Sequence, residues 1–160
     1  MAPIRHSADY PYPPELVWEA LTDPDAIREW LMDNDFKPVV GHEFTLRMPP
    51  KPGFDGVIRC RVLRVEPPRE LVYTWTGGWV KQPTTVTWKL TPTGDGTRLE
   101  LEHDGLDQGI AGRILSWMLG SGWGRMLRRQ LPAVLAAKAT NSYGSPKQTK
   151  SQGPGEEEAR

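Results

Sequence analysis

The chain has 160 residues and one cysteine, Cys60, so the sequence predicts a single domain without an intrachain disulfide. The 20 basic and 20 acidic residues give a formal net charge of zero, which lacks the positive surplus that binding to nucleic acid requires. The amino terminus has no apolar signal segment, and the longest apolar run, Ile114–Leu119, is too short to span a membrane. We therefore expect a cytoplasmic protein without stable membrane insertion.

The first part of the chain predicts one strand followed by two short helices. Ile4–Tyr10 alternates weakly between apolar and polar residues, as a strand does. Pro14 suits the first turn of a helix, where a missing N–H has little effect. Asp23 and Pro24 match the N-cap and first position of a second helix. The first helix presents one apolar face: Leu16, Val17, Ala20 and Leu21.

The middle of the chain predicts antiparallel strands. Glu43–Met48 and Gly56–Glu66 alternate in hydrophobicity, and Val62 and Leu63 break the phase of the second segment, which predicts a β-bulge. The side chains of Arg59 and Arg61 could grip an anionic headgroup if they faced inward, but the phase of the strand favours an outward orientation.

Residues 84–105 predict a β-hairpin with one apolar face and a turn at Pro92–Gly96. A loop at Gly77–Pro83 would join this hairpin to a preceding strand at Leu71–Trp75. Symmetrical pairing predicts three rows on the inner face: Leu71–Leu90–Leu99, Tyr73–Trp88–Leu101 and Trp75–Val86–His103.

The last part of the chain changes to helical periodicity. Ile110–Leu119 predicts one helix, Gly120–Gly122 interrupts it, and Ser121 can cap a long amphipathic helix that begins near Trp123. Pro132 should kink that helix or end its first half. Residues 1–140 would form the domain, and the polar residues 141–160 would form a disordered tail.

Five segments together resemble one family: Val17–Leu31, Val40–Phe44, Pro67–Trp75, Thr84–Gly105 and Gly122–Leu135. They look like the activator-of-heat-shock-protein-ATPase homologue-like family, within the START and polyketide cyclase (SRPBCC) superfamily. This resemblance implies an α+β helix-grip fold, in which a curved antiparallel sheet wraps around a long C-terminal helix, with two short helices after the first strand. It also implies a seven-stranded type of sheet, although six strands are clear in the sequence, and a deep apolar cavity.

His103 is the polar residue on the predicted inner face. An imidazole there could bind a ligand or act as an acid or base, because its ordinary pKa lies near neutrality. The alternative is a structural histidine that bonds to the backbone or to a carboxylate such as Asp104.

Aromatic residues form the rest of the candidate site. They could line a pocket, although aromatic side chains at strand and helix spacing also form ordinary cores, and we favour that alternative for Trp88 and Trp123. Trp79 follows two glycines and should be exposed or lie at a cavity mouth. Trp117 could form a lid or a docking patch, or it could pack against the last helix. The candidate ligand-binding residues are Tyr73, Trp75, Trp79, Trp88, His103, Trp117, Trp123 and Leu127.

Three functions follow from these features. The first is non-enzymatic binding of a small hydrophobic molecule between the sheet and the C-terminal helix. The second is a co-chaperone-type module that binds a chaperone or another protein, and the third is a cyclase or hydrolase that acts on an apolar compound. We expect no cofactor and no metal, since the three histidines share no ligand spacing.

Overall fold

A seven-stranded antiparallel sheet with the spatial order β1-β7-β6-β5-β4-β3-β2 forms the body of the protein. The computed structural model describes residues 3–78, 80–106 and 110–144. The sheet consists of β1 (Ile4–Tyr10), β2 (Asp33–Asn34), β3 (Glu43–Arg47), β4 (Val57–Glu66), β5 (Glu70–Gly77), β6 (Val80–Pro92) and β7 (Thr97–Asp104). The helices are α1 (Pro14–Thr22), α2 (Pro24–Trp30), α3 (Ile110–Arg125) and α4 (Leu131–Gly144).

This architecture confirms the predicted α+β helix-grip fold. Helices α1 and α2 follow the first strand, and the long C-terminal helical segment lies against the sheet. Asp23 caps α2 as predicted, since its carboxylate accepts a hydrogen bond from the Asp25 amide. Helix α4 continues to Gly144, beyond the predicted domain boundary at residue 140, and residues 145–160 of the predicted tail lie outside the described residues.

Hydrophobic burial fixes which face of each strand points inward. On β4, Ile58, Cys60 and Val62 are buried while Arg59 and Arg61 are exposed, as the alternating pattern predicts. The register of β4 against β5 shifts between Val62 and Arg64, where the sequence predicted a bulge. The seventh strand, β2, has only two residues and carries no alternation that a sequence could reveal.

The predicted pairing of β5 with β6 was wrong by two residues. Leu71 lies opposite Trp88, Tyr73 opposite Val86 and Trp75 opposite Thr84, whereas the pairing of β6 with β7 is as predicted. The cause is a tight turn, because Gly77 pairs directly with Val80 and the expected loop to Pro83 is part of β6. Gly78 takes a φ of 58°, which favours glycine in such a turn. Because side chains alternate along a strand, a shift of two residues leaves every side chain on the face of the sheet that was predicted for it.

The expected break at Gly120–Gly122 is also wrong, because α3 runs through these glycines. Small residues here let the helix approach β1: the His6 Nε2–H donates to the Gly120 carbonyl oxygen at 2.7 Å, and a Cβ on Gly124 would lie 3.2 Å from His6 Cε1. Tertiary packing therefore outweighs the low helix propensity of glycine.

The α-helical hydrogen bonding is instead interrupted just before Pro132, by a π-helical turn at Met126–Gln130. The Leu131 N–H donates to the Met126 carbonyl, five residues earlier. In this pattern the donor to the Leu127 carbonyl would be the backbone nitrogen of Pro132. Because proline has no N–H, the Leu127 carbonyl has no partner within the helix. The buried Tyr10 hydroxyl donates to that carbonyl at 2.6 Å and so joins β1 to the helix.

We predict that Tyr10→Phe lowers the free energy of unfolding by about 1–2 kcal/mol, because it leaves the buried Leu127 carbonyl without a donor. The matched control is Tyr12→Phe, since the described residues offer the Tyr12 hydroxyl no hydrogen bond. Urea unfolding should show a change below about 0.5 kcal/mol for this control. Equal destabilisation by the two substitutions would contradict the proposed role of Tyr10.

Candidate ligand-binding site

A buried chain of hydrogen bonds joins the C-terminal helix to the sheet. The indole Nε1–H of Trp123, on α3, donates to His103 Nδ1 at 3.1 Å. On the other side of the imidazole, Nε2 lies 2.7 Å from the Thr84 hydroxyl, which in turn donates to the Trp75 carbonyl at 2.7 Å. His103 and Thr84 are 0% and 2% exposed, so these bonds form in a site that is closed to solvent.

The partners determine the protonation of His103. An indole can only donate, so Nδ1 must accept and the neutral imidazole carries its proton on Nε2. That proton is donated to the Thr84 hydroxyl, whose own proton is committed to the Trp75 carbonyl. Burial lowers the pKa of His103 to about 4, although Asp104 acts in the opposite direction. Both ring nitrogens are therefore occupied, and the geometry favours the structural alternative, with Thr84 and Trp123 as its partners.

The two tryptophans at the ends of this chain pack against each other. The ring centroids of Trp75 and Trp123 are 5.2 Å apart, and Trp123 also packs edge-to-face on Trp88 at 5.6 Å. Trp88 in turn donates its indole N–H to the hydroxyl of the buried Tyr73 at 2.9 Å. Burial raises the pKa of Tyr73, so this phenol remains protonated. Hydrogen bonds and ring contacts together fix one side of the interior.

An apolar pocket of about 170 Å³ lies beside the paired tryptophans. Its sheet side includes Ile58, Trp75 and Val80, and its helix side includes Leu115, Gly122 and Trp123. The β3–β4 loop and the segment after α2 add Met32, Met48, Lys51 and Phe54 to the lining. The pocket therefore lies between the sheet and the C-terminal helix, which is the location that the helix-grip resemblance implies.

The structure brings only part of the predicted site to this pocket. Trp75 and Trp123 line it. Trp117 is 74% exposed on α3, and Trp79 lies outside the described residues. The remaining predicted residues are buried in the core and are not among the lining residues: Tyr73, Trp88, His103 and Leu127.

Four methionines are the main feature that the sequence did not reveal. The chain has five methionines, and every one except Met1 lines the pocket: Met32, Met48, Met118 and Met126. Met32 and Met48 come from two separate loops and the other two from the C-terminal helical segment, so no local sequence motif predicts the cluster. Their concentration around one cavity is a property of the fold.

The strand arginines lie away from the pocket. Arg59 pairs with Asp55 at 3.5 Å, and Arg61 lies 3.9 Å from Glu43. All four side chains are more than half exposed, so these ion pairs contribute little to stability. Their outward orientation agrees with the phase of the strand.

In the described part of the chain, no group of three or more His, Cys, Asp or Glu side chains could hold a metal ion. None of the described helices is long and apolar enough to cross a membrane. The cytoplasmic location stays a prediction.

Comparison with known proteins decides the family. The model of the family described as Activator of Hsp90 ATPase homolog 1-like protein matches residues 11–136, which is most of the chain. The chain belongs to this family. No curated protein gives a significant match to the sequence.

Solved structures agree with membership in the Activator of Hsp90 ATPase homolog 1-like family. Protein MLL2253 from Mesorhizobium loti is 36% identical, with a TM-score of 0.74 over 84% of this chain and 97% of that one. Protein BH1534 from Bacillus halodurans is 26% identical, with a TM-score of 0.70 over the same two shares. The Aha1 dimer from Colwellia psychrerythraea, at 19% identity and a TM-score of 0.66 over 90% and 98% of the two chains, shares the fold. Family and superfamily are as the sequence motifs predicted.

We predict that stability falls with pH below about 6.5 because His103 is held neutral in the folded state. Its pKa is 6.5 ordinarily and about 4 in the fold, so unfolding takes up a proton between these values. The full contribution, about 3 kcal/mol, is present above pH 6.5 and is lost as the pH falls through 4.

Urea unfolding across this range should test the pH dependence against His103→Gln, whose amide can accept from Trp123 and donate to Thr84. The wild type should lose about 1.4 kcal/mol per pH unit more than the variant inside the window. Parallel pH profiles for the two proteins would show that His103 does not titrate as described.

Proposed function

We propose that the protein binds a small hydrophobic ligand in the pocket between the sheet and α3, without catalysing a reaction on it. The observation that carries this proposal is the cavity itself, which is apolar and closed on one side by the rigid pair Trp75 and Trp123. Such concave, mostly apolar cavities are the usual form of a small-molecule site. The family fold, which is of the ligand-binding and polyketide cyclase type, supports the same function.

The size of the pocket limits what it can enclose. A cavity of about 150 Å³ with aliphatic and aromatic walls holds one benzene molecule, so 170 Å³ suits one ring or a short branched chain. Burial of roughly six carbon groups contributes about 5 kcal/mol before the entropy of association is subtracted. A fragment of this size should therefore bind weakly, no tighter than the millimolar range, because association itself costs at least about 4 kcal/mol.

The four methionines support an adaptable pocket. Unbranched thioether side chains change rotamer at little cost and fit irregular surfaces, which is why they occur at binding surfaces that accept several ligands. Here they line the same cavity as the two packed tryptophans. One wall is therefore rigid and the rest can adjust, which favours a range of apolar ligands over a single shape.

The hypothesis of an enzyme depended on His103 as an acid or base. Its ring nitrogens bond to Trp123 and Thr84, and it is fully buried. A proton acceptor in catalysis must reach its substrate directly or through one water. We therefore assign His103 a positioning role behind the pocket and no chemical step.

Gly122 provides a direct test of the pocket. It lines the cavity, and a Cβ placed on it meets no atom within 4 Å, so a larger side chain can enter the space without a clash. We predict that Gly122→Leu abolishes binding of phenylpropanol, measured by tryptophan fluorescence or calorimetry. The same substitution should raise the free energy of unfolding by about 0.5–1 kcal/mol, because it removes a helical glycine.

The matched control is Ser121→Leu, which adds the same side chain one residue earlier, at an exposed position of α3. It should bind phenylpropanol like the wild type. Unchanged binding in Gly122→Leu, or no binding of apolar probes to the wild type, would overturn the proposed function.

A co-chaperone-type interaction is the second candidate, and an exposed apolar face of α3 favours it. Ile114, Trp117 and Met118 are 56%, 74% and 45% exposed on this helix. Exposed large apolar side chains that adjoin one another are typical of protein contacts.

If this face binds a chaperone, the protein should raise the ATPase rate of Hsp90, and Trp117→Ser should lose most of that effect. Arg113→Ser, at an exposed polar position of the same helix, serves as control. An ATPase rate that does not change with added wild-type protein would exclude this candidate.

A further inference from the structure

Lys51 adds a positively charged side chain to the lining of the apolar pocket. Among the described lining residues it is the one with a charged side chain, and the others are apolar residues and glycines. A lysine can cover apolar surface with its aliphatic stem while its ammonium group remains in water. Since Lys51 is exposed, this places positive charge where the cavity meets solvent.

The backbone of Lys51 is held firmly at this position. Its N–H donates to the Phe54 carbonyl at 2.9 Å, and the Phe54 N–H donates back at 2.8 Å. Gly53, with a φ of 78°, closes the turn between them. The Phe54 ring packs on Gly78, where an added Cβ would lie 2.8 Å from Phe54 Cδ1. The loop is thus pinned to the β5–β6 turn, which also lines the pocket.

The acidic residue nearest to Lys51 in sequence is already engaged. The Asp55 carboxylate pairs with Arg59 and accepts the Val57 amide. Within the described residues Lys51 forms no ion pair, whereas Arg59 does. Its charge is therefore available to a ligand.

From this arrangement we infer that the pocket selects amphipathic anions: an apolar body of about one ring lies in the cavity, and an anionic group such as a carboxylate lies at the mouth beside Lys51. This inference rests on the proposed function and names its ligand class. The apolar body supplies most of the affinity, and the charge pair discriminates among ligands with similar bodies. An apolar amine would place like charges together at the mouth and bind more weakly.

The experiment uses three probes with the same apolar body: phenylpropanoate, phenylpropanol and phenylpropylammonium. Their dissociation constants are measured at neutral pH and low salt by quenching of tryptophan fluorescence. The wild type should bind the carboxylate about two- to fivefold more tightly than the alcohol, as expected for one solvent-exposed charge pair. The ammonium should bind more weakly than the alcohol.

Two lysine variants test whether the preference for the carboxylate probe comes from Lys51. Lys51→Met should bind all three probes equally, and added salt should reduce the preference of the wild type in the same way. Lys81→Met is the matched control, because it removes the same charge from an exposed residue next to Val80 that does not line the pocket. This control should keep the preference for the carboxylate.

The outcomes separate this inference from the proposed function. Equal binding of the three probes to the wild type, with binding lost in Gly122→Leu, would overturn the selection of anions and leave the pocket intact. A preference that survives in Lys51→Met would also overturn it. Failure of every probe to bind the wild type would overturn the proposed function, and the inference with it.

Discussion

One buried histidine that must stay neutral holds the helix to the sheet. The Trp123 indole donates to His103, His103 donates to Thr84, and Thr84 donates to the Trp75 carbonyl. Every donor in this line has one acceptor, so the chain has a single direction and a single tautomer. In a dry interior such a network is stabilising only when all its members are satisfied. The position of α3 against β5 and β6, and hence the pocket between them, depends on that condition.

This constraint divides the interior into two parts with different properties. On one side of the paired tryptophans, Trp88 packs on Trp123 and donates to the hydroxyl of the buried Tyr73, which leaves these side chains little freedom. In front of them, four methionines and the lysine of a pinned loop surround a cavity. The rigid part supplies a fixed wall, and the methionines supply the adaptability that a pocket for varied apolar molecules needs. His103 thus belongs to the site by holding its wall, without contact to what is bound.

The sequence predicted the fold well because most of the strands and helices show the expected periodicity of apolar and polar residues. Alternation in β1, β4 and β7 and the Asp23–Pro24 cap are visible in short windows. The errors arose where tertiary structure decides. A two-residue turn at Gly78 moved the β5–β6 register, and contacts with His6 kept α3 helical through Gly120. The candidate site was predicted only in part for the same reason. The sequence predicted inward-facing aromatic residues, but which of them reach the cavity depends on packing. The methionines share no sequence motif.

The central claim is that the pocket binds its ligand against Trp75 and Trp123 while His103 remains a neutral hydrogen-bonded support. Nitrogen NMR of the histidine ring and indole groups, recorded with and without saturating phenylpropanol, tests this most directly. We expect the indole signals of Trp75 and Trp123 to shift on binding, while His103 keeps its proton on Nε2 alone. A change of tautomer or charge at His103 on binding, or indole signals that do not move at saturation, would contradict the account.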